Sequence, residues 1–121
     1  MNAINKKEAN TKVTKGLLDM IILQYLNKEN MHGYQLIASI RKGFGIYFGP
    51  STIYPLLGQL EKKGHVQSSW NMNSDRPRKV YTLTAQGKNL LKVAEDALAM
   101  IVQKISPENT CKVHTPAMVI A

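Results

Sequence analysis

The sequence predicts a mainly α-helical domain with one small β-hairpin and a long final helix. Three observations support this prediction. Apolar residues recur at helical spacing in three segments before residue 64 and in one segment after residue 84. Between those positions the pattern alternates with a period of two and is interrupted by turn-forming residues at 73–77. The chain has 121 residues, of which 44% are hydrophobic, as in a single globular domain.

The first elements are a polar arm and two helices. Residues 1–13 are polar and rich in lysine, so we expect a flexible basic arm. Thr14 is a suitable N-cap for a helix that runs to about residue 28 and has a broad apolar face. A second helix is expected near residues 34–42, after which three glycines interrupt regular structure.

The third helix lies within the segment GPSTIYPLLGQLEKKG, residues 49–64. Four aliphatic residues of this segment stand at positions i, i+3, i+4 and i+7, which is one face of a helix. They are Ile53, Leu56, Leu57 and Leu60. If Thr52 is the N-cap, Pro55 falls in the first turn, where its missing N–H would have had no helical partner. Gly64 is expected to end the helix in the left-handed conformation.

A β-hairpin follows, with strands at 66–72 and 78–84. Its tip contains the cations Arg76, Arg78 and Lys79. A hairpin turn does not need cations, so we favour contact with DNA over simple solvated charge, since arginine binds phosphate through two parallel hydrogen bonds. Trp70 is either a contact of the hairpin or a core residue, and we expect the core.

The final helix is expected at residues 85–105, with Thr84 as its N-cap. Its apolar stripe is wider than a small core requires, which favours pairing with a second copy of the chain. The alternative is packing within the same monomer. The candidate interface residues are Leu91, Ala94, Leu98, Ile101 and Ile105. Residues 106–121 form a tail to which no role is assigned.

Three helices, a hairpin and a further helix are the plan of a winged helix-turn-helix domain, here residues 14–84. In this plan the third helix enters the major groove of DNA and the hairpin, or wing, contacts an adjacent groove or the phosphates. The polar residues that the apolar stripe leaves exposed are the candidate DNA contacts of the third helix. They are Ser51, Thr52, Tyr54, Gln59 and Lys62. Free N–H groups of the first turn would also suit a phosphate.

Each of these candidates has a structural alternative. Ser51 and Thr52 are also good capping residues. Lys62, at the end of a helix, complements the helix dipole whether or not DNA is bound. Tyr54 lies off the apolar stripe and is expected to be exposed, where it would contact the DNA backbone.

Composition restricts the partners and excludes several classes of protein. The formal net charge is +8, which favours polyanions, although a merely soluble basic protein has the same balance. Cys111 is the single cysteine, so no intrachain disulfide is possible. No signal peptide or membrane span is expected, and the chain should be cytoplasmic. We find no nucleophile–base pair or metal cluster, so we expect no enzyme activity and no cofactor. His32 and His65 are expected in turn or cap roles rather than as zinc ligands.

At this point the sequence resembles the PadR-like family of transcriptional regulators. The resemblance is carried by four segments in the right order and spacing, which are specific as a set. They are KGLLDMIILQYL (15–26), MHGYQLIASI (31–40), STIYPLLGQLEKKGHV (51–66) and RKVYTLTAQGKNLL (78–91).

The resemblance implies a homodimeric winged-helix repressor whose C-terminal helices form the dimer. It places Tyr34 with its neighbour Gln35, Tyr54–Pro55 and the wing cations at the DNA surface. Longer members carry an additional helical domain that binds phenolic effectors; this chain ends soon after one C-terminal helix, so phenolate sensing is not expected. Some short members bind flat drugs between tryptophans of the dimer helix, but residues 85–105 contain no aromatic residue.

The sequence therefore predicts a transcriptional regulator that binds a pseudo-palindromic site in double-stranded DNA as a homodimer and represses transcription. The identity and existence of a small-molecule effector stay open. Two alternatives remain: a basic chromatin-type protein that coats DNA without sequence preference, and a winged helix that binds another protein.

Overall fold

A computed structural model describes residues 5–73 and 75–106. Within these ranges five helices and three strands form a winged-helix domain, which confirms the predicted fold class. In chain order they are α1 (Lys6–Gly16), α2 (Leu18–Lys28), β1 (Met31–His32), α3 (Gly33–Phe44), α4 (Pro50–Lys62), β2 (Val66–Asn71), β3 (Arg78–Leu83) and α5 (Ala85–Ile105). We call β2, β3 and the turn between them the wing.

The N-terminal segment differs from the prediction of a flexible arm over 1–13. Residues from Lys6 onward form α1, and the Asn5 side chain caps this helix by accepting a hydrogen bond from the Glu8 backbone N–H at 2.7 Å. Thr14 is a buried residue of α1 and not the cap of the next helix. Leu17 separates α1 from α2 with a ψ of 13°. Residues 1–4 and 107–121 lie outside the described ranges.

The sheet has the order β1-β3-β2, and both pairings are antiparallel. The register of the wing runs from Val66 opposite Leu83 to Asn71 opposite Arg78. The short strand β1 adds to the other edge of β3 and was not predicted, because two residues show no periodicity. It ties the start of α3 directly to the wing.

The core lies between α2, α3, α4 and the inner face of the sheet. The α4 stripe enters it as predicted: Ile53, Leu57 and Leu60 are buried, and Leu56 packs at its edge. Each fully buried aliphatic side chain contributes about 1.5–3 kcal/mol relative to an exposed one. This burial fixes which side of α4 is left for a partner.

The start of α4 is earlier than predicted. Gly49 is the N-cap and Pro50 the first helical residue, a position that proline favours. Thr52 is therefore not the N-cap, and Pro55 lies inside the helix rather than in its first turn. Proline has no N–H to donate to the carbonyl of Ser51 four residues earlier, so α4 lacks one bond of its ladder there.

The start of α5 is fixed to the end of α4. Thr84 is the N-cap as predicted: its hydroxyl accepts a hydrogen bond from the Gly87 N–H at 3.0 Å and donates to the carbonyl of Gly64 at 2.6 Å. Gly64 has the predicted positive φ of 84°. Gly87 is buried against the carbonyl of His65, where a Cβ would lie 2.1 Å from the oxygen. These contacts set the direction of α5 relative to the wing.

Candidate nucleic-acid interface

The exposed side of α4 presents most of the predicted DNA contacts of this helix. Ser51, Pro55, Gln59 and Lys62 are exposed, and Thr52 is half-buried. The backbone N–H groups of Thr52 and Ile53 both donate to the carbonyl of Gly49 at 3.0 Å. The first turn thus offers a phosphate fewer free N–H groups than the sequence suggested, and the side chains become its main donors.

Tyr54 does not stand free on α4 as predicted but lies half-buried against the core. Its ring lies over Gly33, where a Cβ would be 2.2 Å from the hydroxyl oxygen. The ring also meets Tyr34 edge-to-face, with 6.1 Å between ring centroids and an interplanar angle of 71°. Burial, followed by the proximity of Tyr34, raises the pKa of the Tyr54 phenol. The exposed Tyr34 is therefore the tyrosine more open to a partner.

The start of α3 is a capping box built from His32 and Gln35. The His32 Nδ1 accepts from the backbone N–H of Gln35 at 3.4 Å, and the Gln35 Oε1 accepts from the backbone N–H of His32 at 3.0 Å. This confirms a cap role for His32. It also uses one of the two acceptor sites of the Gln35 side-chain oxygen, so the amide NH₂ of this exposed side chain stays fully available for a DNA contact.

The wing cations differ in how they are held. An Arg78 guanidinium nitrogen lies 3.0 Å from Nε2 of His32, which places the wing beside the cap of α3. Because Arg78 can only donate and a neutral imidazole accepts at one ring nitrogen, this contact and the Nδ1 bond to Gln35 require different tautomers of His32. Burial, and secondly the charge of Arg78, lower the pKa of the His32 imidazole. Lys79 lies 3.8 Å from the Glu61 carboxylate, which also accepts from the Ser68 hydroxyl at 2.5 Å. Arg76 is exposed in the turn.

The outer end of the wing contradicts the prediction that Trp70 packs in the core. The Trp70 side chain is 62% exposed, and Met72, two residues further along the chain, is 67% exposed. Val66, on the same face of β2, is buried, and Ser68 is half-buried. The helices cover this face only as far as Ser68, because β2 extends beyond the core.

The α3 surface carries a groove that the sequence did not indicate. It is open and shallow, with a volume of about 520 Å³, and it begins beside Tyr34. The Arg41 guanidinium lies over the Tyr47 ring, 6.0 Å from its centroid. Lys42 also lines the groove, so two cations of α3 lie along it. The adjacent cations Arg41 and Lys42 were the available signal in the sequence.

The residues predicted for the dimer interface differ in burial along α5. Leu91 is 4% exposed and packs in the core of its own domain, so its assignment to a dimer interface is wrong. Ala94 and Leu98 are half-buried within the monomer, whereas Ile101 and Ile105 are exposed. Val93 and Met100 of the same helix are exposed as well. The uncovered apolar surface thus belongs mainly to the C-terminal half of α5.

Within residues 5–73 and 75–106, no group of three or more His, Cys, Asp or Glu side chains is arranged to hold a metal ion. No helix in this part of the chain has the length and apolar character needed to cross a membrane.

Comparison with known proteins gives a consistent result. The model of the "Transcriptional regulator PadR-like family" matches residues 22–93. A PadR family transcriptional regulator from Eggerthella lenta superposes with a TM-score of 0.75 at 30% identity, over 80% of this chain and 85% of that chain. A PadR-like transcriptional regulator from Bacillus cereus gives 0.70 at 25% identity, over 79% and 94%.

A Streptococcus transcriptional regulator gives a TM-score of 0.67 at 28% identity, over 78% of this chain and 94% of that chain. No curated protein sequence matches the chain.

Proposed function

The chain belongs to the PadR-like family of transcriptional regulators, and from this premise we propose that it is a homodimeric repressor that binds a pseudo-palindromic operator in double-stranded DNA. In this proposal α4 enters the major groove, the wing contacts the adjacent DNA, and the C-terminal halves of two α5 helices form the dimer. The protein acts in the cytoplasm.

One observation carries the DNA-binding part of this proposal. The three consecutive residues His32, Gly33 and Tyr34 bring together the elements that would contact DNA. Arg78 of the wing lies against His32, Gly33 makes room for Tyr54 of α4, and Tyr34 packs edge-to-face on the same ring. Donors from α3, α4 and the wing are thereby held in a fixed relation, as a site for a rigid duplex requires.

The charge of the molecule supports a polyanionic partner. The net charge is +8, and cations occur at the wing (Arg76, Arg78), at the end of α4 (Lys62) and along α3 (Arg41, Lys42). Neutralisation of phosphates by such residues releases counterions, so affinity for DNA should fall steeply with salt.

The proposal is tested by selection of DNA fragments from the source genome with the purified protein, at stated salt. The selected fragment should bind at least about 10³-fold more tightly than an unrelated duplex of the same length. Equal affinity for all duplexes would favour a chromatin-type protein that coats DNA. Weak binding that responds neither to salt nor to loss of the Arg76 and Arg78 charges would favour a protein-binding winged helix.

A further inference from the structure

The outer end of the wing is an apolar surface that the proposed major-groove contact of α4 does not use. We propose that Trp70, supported by Met72, enters the minor groove of bound DNA as an apolar wedge, stacks on a base step and bends the duplex. This inference rests on the proposed DNA-binding function and adds a bending activity to it.

The exposure of Trp70 follows from the geometry of the sheet. Side chains alternate between the two faces of a strand, so Val66, Ser68 and Trp70 share the inner face of β2, and Met72 follows directly after the strand. The cross-strand partners of the first two, Leu83 and Tyr81, are buried in the core. Beyond Ser68 the covering helices end, and Trp70 and Met72 lie uncovered next to each other.

An exposed indole in this position has no role in the core of its own chain. Tryptophan exposes a large, flat and rigid apolar surface, and exposed apolar groups that cluster in this way mark an interaction site. The wing is narrow at this end, since only β2, β3 and their turn form it. A narrow apolar end suits insertion between base pairs better than it suits a broad protein interface.

The charges around Trp70 select DNA as the partner. Between residues 66 and 83 the chain carries three cations, Arg76, Arg78 and Lys79, against the single acid Asp75. Lys79 stands directly opposite Trp70 across the wing but is paired with Glu61 of α4 at 3.8 Å, so its charge is partly balanced within the chain. The minor groove is bordered by two rows of phosphates, and architectural proteins read it with Arg and Lys while they insert apolar wedges between its base steps.

The experiment uses the fact that Trp70 is the only tryptophan of the chain, so that selectively excited tryptophan fluorescence reports on this residue alone. The probe is a DNA duplex recovered from genomic selection with the full-length protein, or a mixed-sequence duplex if none is enriched. On addition of this duplex, Trp70 emission should be strongly quenched, and the indole should become protected from iodide and acrylamide. Bending is measured by energy transfer between dyes at the two ends of the duplex.

Three variants separate stacking from charge. Trp70→Ala should weaken DNA binding by about tenfold or more and largely straighten the duplex, since stacking on an aromatic side chain is worth that much per base. Trp70→Phe should keep part of both effects. Trp70→Lys adds a charge at the same place; it should still lose the bend, which in minor-groove complexes is about 20–90°.

Val13→Ala is the matched control for loss of an exposed apolar side chain, because Val13 of α1 is also 62% exposed. It should leave affinity and bending unchanged. Thermal unfolding of every variant should stay close to that of the parent chain, since Trp70 contributes little to the core.

The possible results are distinguishable. Salt-dependent DNA binding with unchanged Trp70 emission and an unbent duplex overturns the wedge but leaves the proposed regulator intact. Unimpaired affinity and bending in Trp70→Ala lead to the same conclusion. Absence of DNA binding at any salt overturns both proposals. Protection of Trp70 by a protein partner, with none by DNA, assigns the surface to protein recognition and also overturns the wedge.

Discussion

The wing and the C-terminal half of α5 both leave apolar side chains uncovered, yet their surroundings differ. Trp70 and Met72 stand at the end of a narrow hairpin whose cations outnumber its acids by three to one. Ile101 and Ile105 lie on a long helix face. There the charges balance, since residues 92–105 contain two lysines, one glutamate and one aspartate.

This difference shows that apolar exposure alone does not identify a partner. A polyanion requires cations around the apolar group, and a second copy of a basic chain is repelled by them. The wing has such cations and suits a polyanion. The far half of α5 has balanced charges, so it does not repel a second copy of the chain. Substitutions in α5, in the support of the DNA-facing side and in the wing should therefore have separate effects, and these decrease in that order.

The largest effect is expected from Ile101→Asp. In the proposed dimer two copies of this residue would be buried, and an uncompensated buried carboxylate is strongly unfavourable. We expect monomers in sedimentation equilibrium and a loss of operator affinity of about 100-fold or more, because the two half-sites are no longer bound together. The fold should persist, since Ile101 is exposed in the monomer.

Gln103→Asp provides the matched control, because it adds the same charge at a polar position of the same helix. It should leave the dimer intact. If Ile101→Asp remains a dimer at the same concentration, the interface lies elsewhere and the apolar face of α5 has another partner.

Gly33→Ala tests the internal support of the DNA-facing side. A Cβ at this position would overlap the Tyr54 ring, so the ring must move away from Tyr34. We expect a loss of about 1–3 kcal/mol in the free energy of unfolding, measured with urea, together with weaker operator binding and an unchanged dimer.

The contrasting substitution is Gly58→Ala in the interior of α4, where a Cβ meets nothing within 4 Å. Alanine there should stabilise the protein by about 0.5–1 kcal/mol. Equal stability of the two alanine variants would show that Tyr54 is not held against Gly33.

Arg78→Ala removes a cation that lies 3.0 Å from the His32 ring at the cap of α3. If Arg78 binds a phosphate, affinity for every DNA sequence should fall by about tenfold, and the slope of log affinity against log salt should decrease in magnitude by about one. Arg78→Lys keeps the charge and should keep the slope. An unchanged slope in the alanine variant would show that Arg78 does not contact a phosphate and is a solvated charge.

The smallest effect is expected from pH, through His32. Because the pKa of this imidazole is lowered from 6.5 in the folded protein, folding favours the neutral form. Its contribution to stability is complete above pH 6.5 and is lost as the pH falls through the folded-state pKa. The urea midpoint should therefore decrease more in the parent chain than in His32→Asn, which keeps a cap without titrating. Parallel pH profiles would contradict this assignment.

Helical apolar stripes, helix caps and glycines with a positive φ were predictable from the sequence. The α4 stripe, the Thr84 cap of α5 and the positive φ of Gly64 follow from residue type and spacing, and the structure has them all. They are local properties, so one sequence is enough to recognise them. The signal for the true start of α4 was also present in Pro50, since proline is favoured at the first helical position.

The remaining features depend on contacts between distant residues. Nothing near Trp70 shows that the covering helices end at Ser68, and nothing near Leu91 shows that α5 packs on α2 and that this residue is buried. The placement of Tyr54 over Gly33 requires α3 and α4 to be packed together first. The residues of the candidate site could therefore be predicted from the sequence. The contacts that position them could be identified only once the fold was known.

Because the start of α5 is fixed, the length of this helix determines a distance in the proposed dimer. Its first turn is bound to Gly64 and His65, so its axis has one direction relative to α4 and the wing. In the proposed dimer, the position along α5 at which two copies meet then sets the separation of the two α4 helices. One residue inserted before Ile101 would turn the far face by about 100°, whereas seven would nearly restore it and move it by about 10 Å. The length of α5 would thus select the spacing of the half-sites, independently of the residues that contact DNA.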